Sequence, residues 1–161
     1  MGRVADWLKR RVKDPLLAEL KQGLSAEQLS AAVTVSLAIA INPVIGTTTV
    51  LCLLAGKVFR LNHVVMQTVN HLTYPLQLAL LVPFVRLGEK VTGAEPLPLS
   101  PSLLIAEFQK SFGGFVAKFG LAYLHGLLGW VIVVPLSGVA LHLILTRLFR
   151  RLRPTPAPQT P

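Results

Sequence analysis

Charge is scarce in this sequence. Of 161 residues 14% are charged and only 7 are acidic, against 52% hydrophobic, and no charge falls within residues 28–56, 61–85 or 119–146. A helix needs about 20 apolar residues to cross roughly 30 Å of hydrocarbon, so each window has the length of a membrane span. The same scarcity argues against a soluble helical bundle, whose helices need a polar outer face that these windows lack. Aromatic residues are also few, at 7%. That scarcity, with no alternating segments and no aromatic girdles, argues against a transmembrane barrel.

Cysteine occurs once, as Cys52 inside the first window. An intramolecular disulfide is therefore impossible, and the residue reads as a small buried hydrophobe. None of the three windows contains Asp or Glu, so no buried carboxylate is available to carry protons or to work as one of an acid–base pair. The four histidines, His63, His71, His125 and His142, have no metal-ligand spacing and read as structural or interfacial. The sequence thus predicts a protein that is not an enzyme and has no cofactor or metal.

What is present is basic. The net charge is +9, but the Lys and Arg residues flank apolar windows and are not interleaved with stacking aromatics, so nucleic acid is not the expected partner. Membrane lipids are, through anionic head groups and the retention of positive charge on the cytoplasmic side. Residues 1–21 read as a basic amphipathic segment, with Val4, Trp7, Leu8 and Val12 at helical spacing, lying on the membrane surface or leading into the domain. These residues contain no apolar core of a cleavable signal, so insertion through internal segments is expected. Residues 22–153 form the helical membrane domain, and the proline-rich residues 154–161 read as a disordered tail.

Within the domain, Ser25 and Gln28 have the spacing of a capping box and set the first helix to begin near Ala26. As continuous helix the first window would measure about 43 Å, too long for one upright span and too short for two. Its midpoint is Asn42-Pro43, which predicts a hairpin or sharp kink, with Gly46, Thr47 and Thr48 beside it. A second polar, proline-marked tract, Asn70-His71-Leu72-Thr73-Tyr74-Pro75, lies mid-window 28 residues later and predicts another break. Beyond Arg86, the residues Gly88, Gly93, Pro96, Pro98 and Pro101 predict a loop, and the spacing of Leu104, Phe108, Phe112, Phe115 and Phe119 predicts an interfacial helix. Gly126, Gly129 and Gly138 predict close helix packing in the last window, which also holds Pro135.

If all three windows were simple spans, the C-terminal arginines would be exported. A re-entrant first window keeps both termini and the Lys57 to Arg60 turn inside, with twelve of the 16 basic residues. A variant makes the second tract re-entrant as well, so that two broken tips meet near mid-depth. The expected fold is all-α: a polytopic helical membrane protein with proline-broken or re-entrant helices. The polar set Asn42, Thr47, Thr48, Asn62, Gln67, Asn70 and Thr73 either lines a cavity between the breaks or satisfies helix ends. The first reading leads to a small passive transporter, channel or lipid-handling protein, which at this size would enclose a pathway by forming a homo-oligomer. The second leads to a non-catalytic anchor or assembly partner for an envelope enzyme.

Four tracts resemble a known family of small bacterial membrane domains, domain-of-unknown-function family 2062. They are Lys21-Gln22-Gly23-Leu24-Ser25, Pro43-Val44-Ile45-Gly46-Thr47-Thr48, Arg60-Leu61-Asn62 and Asn70-His71-Leu72-Thr73, and the resemblance covers residues 20–148. The family's Asn-Pro-Leu-Thr is replaced here by Asn70-His71-Leu72-Thr73, with the proline displaced to Pro75, so the shape of the second break stays open. The resemblance implies a location in the bacterial cytoplasmic membrane. It also implies a link to glycosyltransferase-like modules, which are fused to the domain in some relatives, and it lends no established activity.

Overall fold

The computed structural model describes residues 24–98 and 101–152. The amphipathic segment and the proline-rich tail predicted from sequence lie outside them. Five α-helices and no strand occur among the described residues.

Helix α1, Ala26–Ala40, starts where the capping box sets it: Gln28 N donates to Ser25 Oγ and Ser25 N to Gln28 Oε1, each at 3.0 Å. Its buried face is made of small residues, Ala26, Ser30, Ala32, Thr34, Ser36 and Ala40, with Leu29. The helix stops at Asn42-Pro43, because Pro43 has no N–H to donate and disfavours helical geometry in the residue before it. Asn42 Oδ1 accepts instead from Val44 N at 2.8 Å, a local turn. Gly46, at φ 89°, takes a left-handed conformation that costs glycine little. Helix α2, Thr48–Val58, then runs back along α1, as the 3.8 Å contact of Ser36 Oγ with Cys52 Sγ requires. The two helices form a hairpin with its tip at residues 43–46.

Helix α3, His63–Thr92, is capped by Asn62, whose Oδ1 accepts from Val65 N at 3.0 Å. It is a single helix of 30 residues with Pro75 and Pro83 inside it. The second break expected at residues 70–75 is therefore corrected: Asn70, Thr73 and Gln77 sit at helical spacing on one buried face, and polar residues so spaced mark a face and not an interruption. The predicted loop beyond Arg86 is corrected as well. The helix runs on through Gly88 to Thr92 and ends at Gly93 in the left-handed conformation, φ 68°.

Helix α4, Pro101–Lys110, is separated from α5, Phe112–Leu152, by Ser111 alone. Ser111 caps α5 by accepting Gly114 N on its Oγ at 3.2 Å. The interfacial phenylalanine helix is thus divided in two. Phe112 is exposed, while Phe119 farther along α5 is buried.

Helices α3 and α5 run antiparallel and cross where two glycines face backbone. A Cβ on Gly88 would collide with the His125 carbonyl and lie 2.7 Å from its Cα, and one on Gly129 would meet the Phe84 carbonyl. Pro43 of the hairpin tip rests against Gly126. At the other end of the bundle Arg150 binds Glu27, with Nη2–Oε1 at 2.6 Å. The hairpin register brings Lys57 and Arg60 to this same end. Leu29, Cys52, Val65, Met66 and Phe149 form the core there.

Among the described residues one helix, α5, is long and apolar enough to cross a membrane, and only 11% of its most apolar 18-residue stretch is buried. A soluble core helix would be mostly covered. Here Leu124, Leu136, Val139 and Ile144 face outward at 61–79% exposure, an apolar face that nothing in the bundle covers. Helices α1 and α2 are apolar but shorter.

Candidate functional site: a polar cleft at the hairpin tip

Residues from the two tracts singled out in the sequence meet at one place. Ile45, Gly46, Thr48 and Thr49 of the hairpin and Asn70, His71 and Tyr74 of α3 line a half-open cleft of about 390 Å³. Asn70 Nδ2 donates to Thr49 Oγ1 and Gln67 Nε2 to the Thr49 carbonyl, both at 3.3 Å. Gln77, its side chain fully buried, donates through Nε2 to the Asn42 carbonyl just past the end of α1 at 2.7 Å. Gln77 was missed in the sequence, although its position seven residues after Asn70 signals the same helix face.

The candidate residues separate by role. Asn42, Pro43 and Thr73 are buried joints of the tip and of α3, Thr73 Oγ1 bonding the Val69 carbonyl at 2.7 Å. Thr47 Oγ1 bonds the Val44 carbonyl at 2.9 Å. Asn62 is a helix cap at the far end of α3, away from the cleft. Pro75 is exposed, and its chemistry acts one turn back. Lacking an N–H, it leaves the His71 carbonyl without its helical donor.

His71 Nδ1 bonds the Gln67 carbonyl at 2.7 Å, and since a carbonyl only accepts, Nδ1 carries a proton. Gln67 Oε1, beside Thr49, is buried with no donor.

Two further polar clusters lie outside the cleft. At the basic end, Ser30 Oγ meets His142 Nδ1 at 3.1 Å and Thr146 Oγ1 at 2.6 Å. This hydroxyl–imidazole contact lies in the interior, with Ser30 at 0% exposure, and it ties α1 to α5. At the opposite end Glu89, 2% exposed, accepts from Arg86 Nη1 at 2.7 Å and from Leu97 N at 3.0 Å. Burial pushes its carboxyl up, but the Leu97 N–H and the Arg86 guanidinium outweigh burial and hold it below its ordinary value. Glu89 thereby fastens the loop after α3. Its neighbour Thr92 donates to the Gly88 carbonyl at 2.9 Å and contacts His125 Nε2 at 3.1 Å, which assigns the His125 proton to Nε2 and leaves the buried Nδ1 without a donor. No group of His, Cys, Asp and Glu suited to a metal occurs among the described residues.

Residues 7–155 match a family described as uncharacterized proteins conserved in bacteria, DUF2062. The chain belongs to the DUF2062 family. No curated protein and no solved structure matches it. In this DUF2062 chain, three of the four family-like tracts carry a structural duty: Ser25 caps α1, residues 43–48 form the hairpin tip and the start of α2, and Asn62 caps α3. The fourth, at residues 70–73, supplies one wall of the cleft.

Proposed function

We propose that this protein is a multi-pass component of the bacterial cytoplasmic membrane, non-catalytic, whose re-entrant hairpin α1–α2 builds a lateral cleft for a membrane-borne, lipid-like ligand. Both termini lie on the cytoplasmic side, where the basic end of the bundle, carrying Lys57, Arg60, Arg147, Arg150 and Arg151, faces anionic head groups. The observation that carries the reading is the cleft itself. It gathers the hairpin tip and the middle of α3 into a half-open hollow walled by Thr48, Thr49, Asn70, His71 and Tyr74 together with Ile45 and Gly46. The polar side chains around it bond mainly to one another and to backbone, which favours a lateral binding site over a water-filled channel through a single chain.

Spin labels on single cysteines test this in a Cys52→Ala background. Labels at Thr49→Cys and His71→Cys should collide with both oxygen and a water-soluble nickel chelate in proteoliposomes, while Leu136→Cys on outer α5 meets oxygen alone. A label at Thr49 or His71 that meets neither would make the tip a closed joint and remove the ligand site.

A second reading, an anchor or assembly partner for an envelope enzyme, is favoured by a different groove. Between α1 and α5 lies a hollow of about 390 Å³ in whose wall Thr34, Ala38, Ser137 and Gly138 stand among larger apolar residues such as Leu37, Val134 and Leu141, and Thr34 Oγ1 is buried there without a partner. Small residues and one unmet hydroxyl suit a partner helix.

A further inference from the structure

The cleft does not end at the tip. Ile45, 41% exposed, forms part of its wall and also part of the wall of a second hollow, an apolar groove of about 240 Å³. The groove is bounded by Leu81, Val82 and Val85 of α3 and by Phe115, Phe119 and Tyr123 of α5. A polar compartment and an apolar one share a single side chain as their partition. Ligand sites commonly span about 300–1,000 Å³, so the groove alone is small for a ligand and the two together fall within that range.

The chemistry of the two compartments specifies the occupant further. Among the described residues, none of those lining either compartment is Lys, Arg, Asp or Glu. A phosphate or carboxylate head would therefore sit at membrane depth with no cation beside it, and an ammonium with no carboxylate. The side chains that line the cleft offer the hydroxyls of Thr48, Thr49 and Tyr74, the Asn70 amide and the His71 ring, groups that between them donate and accept. The leading N–H groups of α2, which have no acceptor within their own helix, and the Tyr74 hydroxyl supply donors. A group that both donates and accepts, carries no charge and is small is a hydroxyl.

We infer that the ligand is a lipid with an uncharged, hydroxyl-bearing head and a single hydrocarbon chain, its head in the Thr49–Asn70–His71 cleft and its chain laid past Ile45 into the phenylalanine groove. The inference rests on the lipid-handling reading above and specifies its ligand class.

The test uses the full chain in phosphatidylethanolamine/phosphatidylglycerol proteoliposomes with three photoreactive probes of equal chain length: a monoacylglycerol, its lysophosphatidic acid counterpart and a headless alkane, each bearing a diazirine in the chain. The expected result is saturable labelling of the peptides holding Val82 and Phe115 to Tyr123 by the monoacylglycerol. It should exceed either other probe at least fivefold, be competed by unlabelled monoacylglycerol, and fall at least fivefold in Ile45→Trp, which blocks the partition at an exposed position, and in Asn70→Leu. Thermal melting verifies that each variant is folded. Stronger labelling by the phosphate probe overturns the assigned head group while leaving lipid handling standing. Equal, unsaturable labelling by all three probes means bulk lipid only, and overturns both. A cross-link between two copies of the chain at these peptides would put protein in the groove and overturn the assignment.

Discussion

Substituting alanine for Gly88 asks whether the α3–α5 crossing is as close as the structure has it. The added Cβ would lie inside the contact distance of the His125 carbonyl and 2.7 Å from the His125 Cα, where carbon atoms ordinarily rest about 3.5–4 Å apart. The obstruction is backbone on a helix, so no side-chain rotation relieves it and the helices must separate by about 1 Å. Overpacking of this kind costs about 1–3 kcal/mol. Separation also strains the 3.1 Å Thr92–His125 bond, worth a further 0.5–1.5 kcal/mol or so. Against this, alanine gains about 1 kcal/mol of helix propensity over glycine. The net expectation is a loss of about 1–3 kcal/mol, read as a lowered midpoint in reversible denaturation from mixed micelles. Gly120→Ala in α5 is the matched control: a Cβ there meets nothing within 4 Å, so it should be neutral or stabilising by up to about 1 kcal/mol. If Gly88→Ala were as stable as Gly120→Ala, the crossing would not be at Gly88, and the antiparallel α3–α5 register would be wrong.

Glu89 is held below its ordinary pKa of 4.5, so it contributes stability that is present above that value and lost as pH falls through the lower folded-state value. Thermal melts should show the wild type converging on Glu89→Gln below pH 4.5, and a constant gap from pH 7 to pH 3 would contradict the pairing with Arg86 and Leu97. Cys52, at 0% exposure, should resist maleimide in the folded protein and react on unfolding, and quantitative labelling of the native chain would place it elsewhere. Arg60 takes a left-handed backbone, φ 53°, which costs a non-glycine residue about 1–3 kcal/mol. Arg60→Gly should raise the denaturation midpoint by up to about 1 kcal/mol, and a fall would show that the arginine side chain contributes more than its strain costs.

The parts of this fold that were legible in the sequence are those decided by local chemistry. Ser25 and Gln28 announce a helix start because their bonds are made within one turn, and Asn42-Pro43 announces a helix end because the missing N–H is a covalent fact. Where tertiary packing decides, local reading misleads. Gly88 looked like the beginning of a loop because glycine is a poor helix former, yet it lies in α3 where only a residue without Cβ lets His125 approach. Pro75 looked like a second break, yet the helix passes through it, held from outside by the hairpin through Asn70 and Gln77. Glu89 fell just beyond a charge-free window and was passed over. Its burial depends on Leu97, eight residues away across a turn whose shape no periodicity reveals.

The same distinction explains why the cleft lies at the tip and not elsewhere. A broken helix in an apolar surround must satisfy its freed carbonyls and N–H groups from within the protein. Gln77 and Asn70 do so for the hairpin, closing the Asn42 carbonyl and holding Thr49. The helix that supplies them carries its own proline at position 75, which offers the His71 carbonyl no N–H one turn on. For Pro43 the donor is replaced nearby, Asn42 N bonding the Ile39 carbonyl at 3.0 Å. A fold built only for stability would gain by replacing Pro75, which is exposed and forms no cap. Restoring the missing helical bond with Pro75→Ala should therefore stabilise the chain by up to about 3 kcal/mol, read as a raised denaturation midpoint, and an unchanged or lowered midpoint would show that the helix already accommodates the proline without loss.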